Sequence, residues 1–254
     1  RWNPPAGSID SDALTGVDAV VNLCGTGLSD RRWTDARKQA LLDSRTVPTE
    51  VLAAAVAEHK IPILINGSAV GYYGDGGDTM LTESSPNGAG FLGLLCREWE
   101  AATEPAAEAG SRVARLRTGL VLSQHGGMLG SLRPLFNFMV GGRLAAGTQY
   151  WPWISMADEV AAIRFCLEHD DISGPVNLTG PSPVTNREFT QQFAESLGRP
   201  APWVIPGFAL GLVFGKEMAR EAMLAGQRAL PRVLEGAGFT FRHGTLRAAL
   251  AASR

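Results

Sequence analysis

The residues of this chain that could do chemistry sit where apolar runs end. Val17 to Gly25 reads as a buried strand that closes on Leu23-Cys24-Gly25. Ile61 to Asp75 reads as a second strand, delivering Ser68 and then Tyr72-Tyr73-Gly74-Asp75. Open α/β sheets bind ligands at the C-terminal ends of their strands, and both runs place small or polar residues there. A small residue followed by glycine lets a ribose or pyrophosphate come close to the backbone, although a plain strand-to-loop turn needs the same residues. Arg45 follows on the next helical stretch. Its planar, multiple donors suit a phosphate or ribose, or else a surface pair with Asp43 or Glu50. Ser68 is either a hydroxyl for a reacting oxygen or an ordinary turn serine. No G-x-G-x-x-G loop precedes these strands.

The elements that must hold these residues alternate. Ser111 to Arg117 is a third strand, running on through Thr118-Gly119-Leu120-Val121-Leu122, and Gly174 to Leu178 is a fourth. Asp35 to Glu58 carries an apolar helical stripe, with Pro48 expected to bend or interrupt it. Gly90 to Ala109 and Asp158 to Glu168 are further helical stretches, and Thr185 to Leu197 is an amphipathic helix capped at Thr185 or Asn186. Strand–helix alternation predicts a doubly wound, Rossmann-like α/β parallel sheet covered on both faces. The glycines between 126 and 147 predict a loop with a short Leu-Phe helix inside it. The tail from Trp203 predicts a smaller, mostly helical C-terminal subdomain. The expected division is a nucleotide-binding part over 1–122, completed by 154–178, and a substrate-side part over 123–153 and 179–254.

Composition narrows the class. Hydrophobic residues are 45% and charged residues 19%, the balance of a globular domain rather than a disordered tail. A net charge of −2 gives no general electrostatic case for nucleic acid or an anionic membrane. Cys24, Cys96 and Cys166 lack metal-ligand spacing and read as reduced thiols of a cytoplasmic protein, with no zinc site. No apolar run is long enough for a transmembrane helix. The opening Arg1-Trp2-Asn3-Pro4-Pro5 is similar to neither a signal peptide nor a native start.

Taken in order, several stretches resemble the extended short-chain dehydrogenase/reductases. They are Val20-Val21-Asn22-Leu23-Cys24-Gly25, Arg32-Trp33-Thr34, Asp43-Ser44-Arg45, Gly67 to Asp75, Arg117 to Leu122, Gly126 to Gly130, Trp153-Ile154 and Gly226 to Pro231. More narrowly, the chain resembles the YfcH-like "epimerase family" group of NADP-binding proteins with a C-terminal domain of unknown function, over essentially its whole length. The resemblance implies an NADP(H)-binding oxidoreductase or epimerase-like protein acting on a small molecule. The alternative is a non-catalytic NADP-binding sensor. A homodimer is compatible with either.

The resemblance also assigns residues. Leu23, Cys24, Gly25 and Arg45 would contact the cofactor. Ser68 would also lie there and hydrogen-bond the reacting oxygen. Arg117, Gly119, Leu120 and Val121 would lie beside the nicotinamide, with Leu120 and Val121 as an apolar wall. The family's proton donor is the tyrosine of Tyr-x-x-x-Lys, whose lysine lowers its pKa. The equivalent helix here places Phe91 and Leu95 at those positions, and no tyrosine has a lysine four residues later. Tyr72 or Tyr73 could serve as a substitute donor, or pack under the cofactor as aromatic residues after this strand do, and His125 in the glycine-rich segment is a further candidate. Family members start with a strand–helix–strand unit that this chain lacks, so Arg1 to Pro4 would end the third strand. Residues are expected to precede Arg1, because without that unit the Val17–Leu23 strand keeps a bare edge.

Overall fold

A computed structural model describes residues 2–4, 7–123 and 126–253. Its centre is a four-stranded parallel sheet built from β1 (Ala19–Asn22), β2 (Ile63–Ala69), β3 (Arg112–Thr118) and, later in the chain, Gly174–Leu178. Leu64 and Ile65 are adjacent in sequence and both fully buried, as expected of a strand covered on both faces. One face packs Val20, Leu64 and Val113 on Leu52, Val56 and Ala106. The other packs Ile65, Ala114, Leu116 and Val176 on Ala162 and Cys166. The doubly wound parallel architecture read from the alternation is the one found.

Helix α1 (Asp35–Glu58) begins at Thr34, whose side chain accepts from Arg37 N. Pro48 is buried inside it without ending it. Helix α2 (Phe91–Ala101) buries Leu92, Leu95, Cys96, Trp99 and Glu100. Beyond β3 the chain leaves the four-stranded sheet. Strand β4 (Leu120–Leu122) pairs in parallel with a later strand, Trp153–Ser155.

The glycine-rich segment departs from expectation, for it holds an 11-residue helix, α3 (Gly127–Asn137). Gly126 and Gly127 lie at its start and Gly141 and Gly142 beyond its end, so Gly130 alone is internal. Between them Leu129 and Phe136 are buried, which outweighs one internal glycine. Gly141 is required where it stands, because a Cβ would run into the Phe136 ring.

Strand β5 (Gly142–Leu144) then forms a ribbon with a later strand, and β6 (Trp153–Ser155) leads into α4 (Met156–Glu168) and β7 (Gly174–Leu178). Helix α5 (Asn186–Leu197) opens on a capping box between Thr185 and Glu188. Strand β8 (Trp203–Ile205) completes the ribbon with β5, and α6 (Gly207–Phe214) and α7 (Leu246–Ala252) follow. The order of the central sheet is thus β7-β3-β2-β1. Among the described residues β1 pairs only with β2. Trp2–Asn3 does not enter this sheet as the end of a third strand. It pairs antiparallel with Ser8–Ile9, across a turn in which Gly7 N donates to Pro4 O.

Candidate active site

Register decides which polar residues meet. Ser68 lies opposite Arg117, and Arg117 opposite Asn177, so one row crosses β2, β3 and β7 near their C-terminal ends. Direct parallel partners share a face, so their side chains converge. Arg117 is 3% exposed and surrounded by acceptors. Its Nε and Nη2 donate to the two oxygens of Glu100 at 2.8 and 2.9 Å. Its Nη1 donates to Tyr73 Oη and Glu83 O. Ser68 Oγ donates to Glu100 Oε1 at 2.7 Å, and Tyr73 Oη to Asn177 Oδ1 at 2.6 Å.

Burial works against the Arg117 charge, but the Glu100 carboxylate more than reverses this and holds its pKa above the ordinary arginine value. Burial pushes the Tyr73 phenol up. The donors of Arg117 and the proton of Ser68 are therefore already engaged within the protein. Tyr72 differs. Its ring centroid lies 3.5 Å from the Arg117 guanidinium carbon, and its hydroxyl makes no hydrogen bond among the described residues.

The turn after β1 is built from behind. Cys24 N donates to Asn22 Oδ1, and Asn22 is fixed by Thr49 and Asn66. Arg45 Nη2 donates to Thr26 O at 2.9 Å, and its Nη1 to Leu41 O and Ser44 Oγ. Burial lowers the Arg45 pKa. A Cβ on Gly25 would stand 3.1 Å from Arg45 Cζ, so the guanidinium is the floor of the glycine turn. Leu23 is 59% exposed beside it.

At the end of β3 the chain is pinned by Gly119 N to Leu178 O and by Leu120 N to Pro152 O. A Cβ on Gly119 would meet the Pro152 carbonyl. Leu120 and Val121 are half-buried. Parallel pairing throughout brings these turns, Ser68 and the Tyr72 turn to one end of the sheet.

The predicted helix places Phe91 against Trp33, edge to face at 5.1 Å, and buries Leu95. His125 lies outside the described residues. Asp75 and Glu83 are structural acceptors. Asp75 takes Gly226 N, and the buried Glu83 takes both Asn177 N and Val233 N. Glu100 was missed, yet it left a signal: Leu92, Cys96 and Glu100 recur at four-residue spacing, a carboxylate on the apolar stripe. No group of acidic, His and Cys residues among the described residues could hold a metal ion.

The C-terminal part roofs this end of the sheet. Arg32 donates to the carbonyls of Leu212 and Val213 in the last turn of α6. Lys38 pairs with Glu217 at 3.1 Å, and Glu221 accepts Leu92 N at the start of α2. A cavity of about 360 Å³ lies between the Tyr73-Gly74-Asp75 turn, Gly88 to Leu92, and Arg220 to Gln227.

Comparison with known proteins agrees with this fold. Residues 205–253 match a domain of unknown function, DUF1731. An "Epimerase family protein" of Mycobacterium leprae is 53% identical over 250 residues, covering 98% of this chain and 81% of that protein. The crystal structure of human epimerase family protein SDR39U1 (isoform 2) with NADPH superposes with a TM-score of 0.89 at 31% identity, over 96% of this chain and 85% of that one. A nucleoside-diphosphate sugar epimerase from Corynebacterium glutamicum gives 0.81 at 38% identity, over all of this chain and 49% of that one.

Proposed function

Because the chain belongs to the epimerase family, within the extended short-chain dehydrogenase/reductases, we propose that it binds NADP(H) across the ends of β1, β2 and β3 and acts on a small carbonyl or alcohol. One observation carries the reading. The Leu23-Cys24-Gly25 turn and the turn at Gly119 open at the same end of a parallel sheet, in a chain 31% identical to a protein crystallised with NADPH. The site fits such a group: a Cβ at Gly25 would crowd the Arg45 guanidinium that braces the turn from behind, and glycine keeps the exposed backbone there bare for close approach. When bound, the nicotinamide supplies hydride exchange. This chain would contribute the turn that receives the nucleotide, with Arg45 bracing it, and the Leu120–Val121 side chains that exclude water.

Proton transfer falls to Tyr72 in this reading. Its hydroxyl is unengaged among the described residues, and the Arg117 cation on its ring favours negative charge developing there. Ser68, bonded to Glu100, would position the row from below. Thermal stabilisation of the full chain by NADPH is the first test, and no shift with any dinucleotide rejects the proposal. NADPH oxidation against a carbonyl panel is the second, with Tyr72→Phe expected to reduce turnover at least about 100-fold.

A second reading, an NADP-binding sensor, is favoured by Phe91 and Leu95 standing where the family's acid and its lysine would be. Stabilisation by NADPH without turnover on any carbonyl selects it.

A further inference from the structure

One cation at this end of the sheet is left without an acceptor. Arg117 and Arg45 engage their donors inside the protein, Arg32 bonds to α6, and Lys38 is paired with Glu217. Arg228 is different. Its side chain makes no hydrogen bond and no ion pair among the described residues, yet it is not exposed; no other lysine or arginine there combines the two. Its guanidinium carbon lies over the Tyr150 ring, 5.0 Å from the centroid. Such stacking holds the planar group in place and leaves its in-plane N–H donors free.

The surroundings tie Arg228 to both sides of the crevice. Arg228–Ala229 pairs in parallel with Met80–Leu81, and Ala229 is buried with Val70, Tyr73 and Leu81, a cluster that Tyr72 packs against. Thr179, just past β7, donates to Ala229 O. On the other side, Gln227 N donates to Tyr150 O, and two residues further on Pro152 O accepts Leu120 N at the turn after β3. Gln227 lines the cavity of about 360 Å³ and donates to Gly74 O, whereas the next side chain, Arg228, turns to Tyr150. Arg228 is thereby joined to the residue given proton transfer and to the turn given the nicotinamide.

We propose that Arg228 anchors an oxyanion carried by the substrate, a carboxylate or a phosphate monoester, so that the small carbonyl or alcohol is an acid. This rests on the reading of the crevice given under the proposed function. A guanidinium offers either group two parallel donors, and partial burial makes the pair stronger than one in open solvent. The phosphates of the dinucleotide are not the occupant. Their turn lies at β1, on one edge of the sheet, whereas Arg228 stands by β7, on the opposite edge.

The test is calorimetric titration of the full chain, with and without saturating NADPH, against benzoate, phenyl phosphate and the neutral benzamide. At least one anion is expected to bind about tenfold or more tightly than benzamide, and the stronger of the two identifies the oxyanion. Arg228→Gln is expected to remove that preference. Arg228→Lys, which keeps the charge but not the fork, is expected to retain part of it. Both variants are expected to unfold at the parent's midpoint and to gain the parent's stabilisation by NADPH. Three results would each overturn the proposal: neither anion binding more tightly than benzamide, anion binding unchanged in Arg228→Gln, or NADPH stabilisation lost in Arg228→Gln, which would give the residue to the cofactor. If NADPH fails to stabilise the parent, the reading of the crevice falls by itself, and the titrations without NADPH still decide on Arg228.

Discussion

At the scale of single residues, Arg117 and Glu100 form a two-point ion pair that is almost dry. Removing one partner of such a pair leaves an uncompensated buried charge. Arg117→Met is therefore expected to destabilise the fold by about 3–5 kcal/mol, read as a shift in urea midpoint. Glu159 makes the opposite case. It is 8% exposed, its Oε1 accepts from Thr118, and its Oε2 has no partner among the described residues. Burial pushes its carboxyl from an ordinary 4.5 up to about 7. The folded state thus holds this proton more tightly than the unfolded one. The contribution to stability is complete below pH 4.5 and is lost as pH rises towards 7. Glu159→Gln should flatten that slope and leave the protein more stable than its parent at alkaline pH, by up to about 3 kcal/mol, in paired denaturations on either side of this window. Neither Glu100 nor Glu83 could be assigned from sequence. Their partners lie 17 to 150 residues away, and only strand register brings them together.

At the scale of elements, the start of α4 shows what local reading reaches and where it stops. Asp158 near the helix start was legible as a favourable charge at the positive end of the dipole. The cap itself is Ser155, whose Oγ accepts Asp158 N. Asp158, 1% exposed, also accepts Arg242 N at 2.7 Å and His243 N at 3.0 Å, and His243 Nδ1 meets Ser155 Oγ at 2.9 Å. One carboxylate thus anchors the C-terminal segment to the start of α4. Asp158→Ala strands those amides and is expected to cost about 2–4 kcal/mol; hydrogen exchange should show protection lost first around residues 242–243. The Thr185–Glu188 box, by contrast, is wholly local and was readable to the residue. Glycine count misjudged α3 because position within the segment, not number, decides whether glycine breaks a helix.

At the scale of the whole molecule, the parallel sheet was legible because apolar runs of strand length alternate with helical stripes. The polar row was not, since a pattern along one strand says nothing about its neighbour's offset. Arg32 then joins the two ends of the argument. It leaves the loop that begins at Gly25 and closes on the last turn of α6, so the turn after β1 and the C-terminal part share one fastening. Thermodynamic linkage follows from that sharing. If a dinucleotide that tightens the loop strengthens the docking of the C-terminal part by some factor, that docking must strengthen dinucleotide affinity by the same factor, so neither equilibrium can be measured as though the other were silent.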